Sequence, residues 1–317
     1  MTSIRLLAVA AAALCGGVAS AQSNVTISGS IDMGVFKDTA GVKNVGTIQR
    51  SHLEFAGTED LGDGLAATFR LRHRFDADTG MPESGTGRPF WHGESTVGLK
   101  GGFGALRLGR ALDAIQAQDW AFDAWSNYDR IVSPAWDLWH WNYSADPTGG
   151  GSGRVANAVF YDSPKFANVS LHVSASPESP AGAVAKTRAA TLLYNDGKLR
   201  AMLGSGKNSA GATETVVGLR AAFGDLSLMG VYNVSETLAS SKAKVTTFGA
   251  VYKIGATTLK AGWGKADVDG VKRREMVSVS AGYAFSKRTT VYADLASKQI
   301  LGTGTKEVYG VGMTHSF

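Results

Sequence analysis

Cysteine is almost absent from the 317 residues, with Cys15 alone, and there are only 7 prolines. One thiol cannot form an internal disulfide, so stability must come from elsewhere. Beyond the first 21 residues no stretch reaches the ~18 to 20 uncharged apolar residues of a membrane-spanning helix, which excludes a helical membrane protein. Charge of one sign is also scarce. The 32 Lys+Arg against 27 Asp+Glu give a formal +5, too mild and too dispersed for nucleic-acid binding. No Gly-x-Ser-x-Gly elbow and no His-Glu-x-x-His motif occurs, and the six His residues (52, 73, 92, 140, 172, 315) lie in scattered contexts. Gly204-Ser205-Gly206-Lys207 resembles a phosphate loop only in part, because Asn208 replaces the required Ser/Thr and Ala201 the first Gly. His92-Gly93-Glu94 lacks further ligands for a metal. No catalytic group, cofactor or metal is expected.

The N-terminus reads as a processing signal. Arg5, the apolar run Leu6 to Val18 and the small-x-small site Ala19-Ser20-Ala21 predict export with cleavage after residue 21, leaving one domain over 22–317. Cys15 follows Leu14, where a lipoprotein signal wants a small residue, and departs with the leader. The mature chain then carries 31 Lys+Arg against 27 Asp+Glu, a formal +4.

What the chain has in quantity is glycine, 40 residues, and a two-residue alternation in nearly every segment. In 65–75, Leu65, Ala67, Phe69 and Leu71 fall on one face and Thr68, Arg70, Arg72 and Arg74 on the other. The pattern recurs at 215–223, at 275–285 and at the C-terminus, where Tyr309, Val311, Met313, His315 and Phe317 oppose Gly310, Gly312, Thr314 and Ser316. Short turn signals such as Asn195-Asp196-Gly197 and Gly224-Asp225 alternate with longer polar breaks. Sixteen strands are predicted, starting near 25, 48, 65, 91, 105, 154, 169, 187, 199, 214, 226, 245, 257, 275, 289 and 306. All seven prolines fall in connections or at their edges, as strands paired on both sides require. The mature length over sixteen is about 18.5 residues, which suits tilted membrane spans of ~9 to 11 residues plus a connection. A soluble sandwich would carry charged outer rows. Here the face opposite the apolar one is rich in Gly, Ser, Thr and Arg, and aromatics collect at strand ends (Trp91, Phe103, Tyr161, Tyr252, Tyr283, Phe317). That predicts an antiparallel transmembrane β-barrel with lipid outside and water inside. A soluble β-sandwich pair or β-helix is the alternative.

Several blocks resemble the Gram-negative general diffusion porins: Gly29 to Gly34, Ser51 to Gly64, Val97-Gly98-Leu99 with Phe103-Gly104 and Leu108-Gly109-Arg110, Tyr161 to Phe166, and the ending Tyr309 to Phe317. They run in order across the mature chain with the spacing of that family. The resemblance implies a 16-stranded, homotrimeric outer-membrane barrel whose third external loop folds into the lumen. It also implies that the terminal Phe317 is the signal read by the barrel-assembly machinery. The chain departs at position 52, where His52 stands in place of the family's usual Arg, and in the middle of the third loop.

A passive pore needs a width and a field, and its selectivity follows from the charges at its constriction. On the alternation, Arg70, Arg72 and Arg74 project inward from one strand, with Arg50 and His52 from its neighbour and Arg107 nearby, forming a basic wall. The plainer reading is that these are merely solvated lumen residues. Residues 112–152 form the longest connection and hold Asp113, Asp119, Asp123 and Asp129. If the loop folds inward, these carboxylates would face the arginines across a gap, with Asp119 and Asp123 favoured; each could equally be a solvated loop carboxylate. Five of the seven Trp lie in the same loop: Trp120, Trp125, Trp136, Trp139 and Trp141. They could pin the loop to the wall or, with Trp120 and Trp125 foremost, form a stacking track for sugars or organic and aromatic acids. The expected function is passive diffusion of small hydrophilic solutes and ions with anion preference. A substrate-preferring channel is the alternative.

Overall fold

The computed structural model describes residues 24–83, 87–147, 153–178 and 181–317; the cleaved leader predicted over 1–21 lies outside them. Strands make up almost all of it. They are β1 (Asn24–Lys37), β2 (Lys43–Gly46), β3 (Ser51–Gly62), β4 (Leu65–Phe75), β5 (Glu94–Gly101) and β6 (Gly104–Leu112). Next come β7 (Arg154–Asp162), β8 (Val169–Ala175), β9 (Arg188–Asn195), β10 (Leu199–Lys207), β11 (Thr213–Phe223) and β12 (Leu226–Glu236). The last five are β13 (Lys242–Ile254), β14 (Thr257–Val268), β15 (Val271–Ala284), β16 (Thr289–Ile300) and β17 (Gly304–Ser316). From β3 onward each pairs antiparallel with the next in the chain, and β1 pairs with β17 from Ser30↔Ser316 to Lys37↔Tyr309, so the sheet closes. β2 and β3 both pair with β1 and are successive pieces of one stave, giving a closed barrel of sixteen.

The alternation does what it predicts. On β11, Val217 and Leu219 point outward at 48% and 53% exposure, while Val216 is buried inside. Apolar side chains outside and glycine, hydroxyl and charge inside make a sheet whose oily face has no partner within the chain. Aromatics gather at the short-turn end, where Phe103, Phe223, Tyr252, Tyr283 and Phe285 are exposed. Barrel closure leaves no strand edge open, and the terminal residue takes part: Phe317 and Gly29 exchange two backbone hydrogen bonds at 3.1 Å.

One predicted strand differs. It was expected to start near 48, yet the stave is broken between β2 and β3. The buried Asp32 supplies the reason: its Oδ1 accepts from Ile48 N at 3.0 Å and Gln49 N at 2.7 Å, replacing ladder bonds with side-chain ones. The break turns Ile48, fully buried, and Arg50 into the bore.

Candidate functional site: a lumen with two unlike walls

The connection between β6 and β7 folds inside the barrel. It carries a helical turn at Gln116–Asp119, a 3-10 turn at Trp120–Phe122 and a short helix at Pro134–Leu138 capped by Ser133, whose hydroxyl accepts from Trp136 N. Its apolar side chains are pressed against the inner face of β10–β15. Glycines on that face make the sockets. A Cβ at Gly218 would sit 2.9 Å from the Phe122 ring, one at Gly262 2.7 Å from Trp125, and one at Gly264 2.5 Å from Leu138. Ile115, Phe122, Trp125, Val132 and Leu138 meet Met202, Val216, Met229, Val245 and Met276 in a buried core that lies within the bore. Half of the inner wall is therefore apolar and covered. The other half stays wet.

On the wet half, β3 to β7 border a cavity of about 1150 Å³, and Arg50, Arg70, Arg72, Arg74 and Arg107 all line it. The structure brings these predicted residues together. His52 does not join the lining; its Nδ1 lies 3.0 Å from the Ser30 hydroxyl on β1. Arg50 stacks over the rings of Trp136 (4.7 Å) and Tyr128 (5.7 Å). Like charges two residues apart need counter-charges, and the barrel wall and the second long connection provide them. Arg72 pairs with Glu54, and Arg70 lies 3.5 Å from Glu54 and 3.6 Å from Glu94. Arg107 bridges Glu94 (2.9 Å) and Asp162 (3.1 Å). Glu83 is shared by Arg50, Arg74 and Arg130 at 3.2 to 3.5 Å. Burial opposes the charge on Glu83, but His92 and the three arginines outweigh it and hold the carboxyl well below its usual range.

The loop carboxylates do not play the part expected of them. Asp113, Asp119 and Asp123 are buried and turned into the loop rather than across the gap. Asp113 accepts from Ile115 N and Gln116 N, and Asp123 from Trp125 N, Asn127 N and the Ser133 hydroxyl. Asp129 does the same for Ile131 N and Val132 N. A loop folded away from bulk water must satisfy its own backbone, and short acidic side chains do so locally. Burial pushes the Asp113 carboxyl up to about 7. Asp119 instead meets His140, whose Nε2 is 2.9 Å from it and whose Nδ1 is 2.7 Å from Glu214 on β11. That imidazole clamps the loop to the wall.

The tryptophans divide. Trp125 is 3% exposed and donates from Nε1 to the Ser280 hydroxyl at 2.7 Å; Trp139 donates to Thr247 at 3.1 Å. Both are anchors. Trp120 is 44% exposed on the lumen, and Trp136 joins it in the cavity lining. Sequence reasoning missed the acids that matter. Glu54 shares the parity of His52 on β3 and stands opposite Arg72 in register, a signal the alternation already carried. Glu94, weighed only as half of a metal pair, is another.

A family model described as Gram-negative porin matches residues 8–300. Among curated proteins, Outer membrane porin protein 32 of Delftia acidovorans is 29% identical, over 98% of this chain and 94% of its own length. Major outer membrane protein P.IB of Neisseria lactamica is 26% identical over 94% of this chain and 96% of its own. Among solved structures, the anion-selective porin from Comamonas acidovorans aligns with a TM-score of 0.80 at 25% identity, covering 93% of this chain and all of that one. Salmonella typhi OmpF, at 14% identity and a TM-score of 0.71 over 92% of this chain and 97% of that one, shares the fold. The chain belongs to the Gram-negative porin family: it is an outer-membrane channel for passive diffusion, not an enzyme.

Proposed function

We propose that this porin passes small hydrophilic solutes with a preference for anions, set by Arg50, Arg70, Arg72, Arg74 and Arg107. One observation carries the reading: eight Arg and Lys side chains border the cavity against three Glu and Asp. Because Glu83 and Glu94 are each shared among several arginines, positive charge is left over after every pairing. Charges within the ~8 Å screening length of physiological salt are felt by a passing ion, so that surplus acts on ions that cross the cavity. The Comamonas acidovorans structure described as anion-selective supports the same direction. A trimeric assembly, as in the solved trimer form of Vibrio cholerae OmpT, an apolar outer surface seated in lipid, a cleaved leader over 1–21 and Phe317 as the segment presented to the barrel-assembly machinery complete the proposal.

The test is the reversal potential across a planar bilayer under a KCl gradient. Anion preference is expected, and the triple change Arg70→Ser, Arg72→Ser, Arg74→Ser should reduce it; cation preference in the unaltered protein would sink the proposal. A second reading rests on Trp120, open to the lumen, and Trp136, over whose ring Arg50 lies, between which a planar organic acid is held in passing. Concentration-dependent block of the current by an aromatic carboxylate, lost in Trp120→Ala, would select it.

A further inference from the structure

Away from the arginine stack, at the short-turn end of the bore, three side chains form a relay. Ser170 and His172 share the inner face of β8, because Leu171 between them points outward at 41% exposure. Ser170 Oγ lies 2.9 Å from His172 Nε2, and His172 Nδ1 lies 2.6 Å from Asp162 Oδ1 on the paired strand β7. Arg107 grips the other Asp162 oxygen at 3.1 Å, so the carboxylate is held in place. His172 Nδ1 also lies 3.3 Å from the Gln118 amide nitrogen; in the tautomer that donates Nδ1–H to the nearer Asp162, Nε2 is left to accept the proton of the Ser170 hydroxyl. Serine, imidazole and carboxylate in that order make a hydroxyl nucleophilic, and the arrangement is recognised by geometry, whatever the order in the chain. His172 and Asp162 line the lumen cavity. Ser170 is 9% exposed, which admits only a small reagent.

We propose that Ser170 is an acylation site, a hydroxyl activated by His172 and Asp162 that takes the acyl group of small activated esters entering the pore. Ser170 Oγ forms a bond to the acyl carbon, the bond from that carbon to the leaving oxygen breaks, and the leaving group departs with the electron pair. The hydroxyl proton passes to His172 Nε2 and on to lumen water. The neighbouring backbone N–H groups are already committed, Val169 N to Phe166 O and Leu171 N to the Ser163 hydroxyl, each at 2.8 Å. Among the described residues, the two flanking N–H groups thus supply no pair of donors beside Ser170 for an oxyanion. The product is a lasting acyl-serine in the channel rather than turnover, which agrees with a family of channels.

The full mature protein in detergent would be treated with 4-nitrophenyl acetate and the acetylated residue located by peptide mass spectrometry. Ser170 is expected to be acetylated roughly 100-fold faster than in His172→Gln, the lower range of what a positioned general base contributes. The exposed Ser240, which has no histidine partner, is the internal reference. A Ser170 rate within threefold of His172→Gln, or of Ser240, would overturn the proposal. Circular dichroism checks that the variant folds. If it does not, Asp162→Asn serves in its place, and a Ser170 to Ser240 rate ratio below threefold in the unaltered protein is by itself a refutation.

Discussion

Replacing Glu214 by Gln should free one end of the lumen loop without expelling the loop from the barrel. His140 is held between Asp119 at 2.9 Å and Glu214 at 2.7 Å, and Glu214 also accepts from the Asn233 amide at 2.7 Å. Burial works against a charged imidazole here, yet the two carboxylates outweigh it and raise His140 well above its ordinary range. Removing one member of a buried ion pair costs about 3 to 5 kcal/mol; with Asp119 still in place, the lower end applies. Against that stand Ile115, Phe122 and Leu138, each essentially fully buried and worth about 1.5 to 3 kcal/mol. The loop stays inside; the segment around His140 opens more often. About 3 kcal/mol corresponds to roughly 100-fold in the opening equilibrium. Hydrogen exchange should report it at the Tyr143 amide, bonded to His140 O at 2.9 Å, and at the Asn142 amide, bonded to the Ser235 hydroxyl at 3.1 Å. The same loosening is expected in the unaltered protein at alkaline pH. A raised imidazole gives stability that is complete below its ordinary range and fades as pH climbs through the raised value. Asp113, pushed up to about 7, acts in the same direction but lower on the scale: its cost builds up between the ordinary carboxylate range and about 7 and is complete before the alkaline change at His140 begins. Exchange at Asn142 and Tyr143 that changes by less than threefold in Glu214→Gln would refute the clamp.

Two further changes probe the sockets and the broken stave. Gly264→Val forces side-chain atoms into Leu138, already 2.5 Å from where a Cβ would be, and should displace the Pro134–Leu138 helix at a cost of about 1 to 3 kcal/mol; single-channel conductance should change, whereas Gly282→Val, whose Cβ would meet nothing closer than 3.6 Å, should leave it alone. Asp32→Ala strips the acceptor from Ile48 N, Gln49 N and the Tyr292 hydroxyl. At about 1 to 3 kcal/mol for each buried donor left without a partner, the barrel should unfold at a clearly lower temperature, followed by gel mobility after stepwise heating.

Strands were legible in this sequence because a barrel wall is decided two residues at a time. Leu65 to Phe75, Val217 to Phe223 and Tyr309 to Ser316 each state their faces without reference to anything distant, and each forms where the alternation puts it. The stave broken at residues 47–50 was not legible, because the group that breaks it, Asp32, lies on a different strand. The loop was half legible. Its length and tryptophans announced a special role, but the direction of its carboxylates depended on a competition that residue spacing does not display. A solvated Asp can face an arginine at leisure; an Asp in a loop stripped of water is claimed first by the nearest backbone N–H. The serine relay escaped for a related reason. A search for a contiguous elbow passes over Ser170 and His172, which meet Asp162 only across a hairpin.

Why the field in the bore is lopsided follows from the same competition. Acidic and basic residues are nearly balanced in number, 27 against 32, so composition alone predicts almost no field. The loop changes this by taking carboxylates out of circulation: Asp113, Asp123 and Asp129 are spent on its own backbone, and Asp119 with Glu214 on His140. Lumen arginines are spent less completely: Arg154 donates to Gly93 O at 2.9 Å, but a guanidinium has five donors and no acceptor and finds few further free carbonyls on a paired sheet. Arg70, with 46% of its side chain exposed, and Arg72 and Arg107, at 23% and 24%, stay open to the bore and lean on the few acids the wall offers. The basic character of the pore is thus a by-product of how an inward loop satisfies its hydrogen bonds, and it should weaken whenever that loop is loosened enough to return its carboxylates to the lumen.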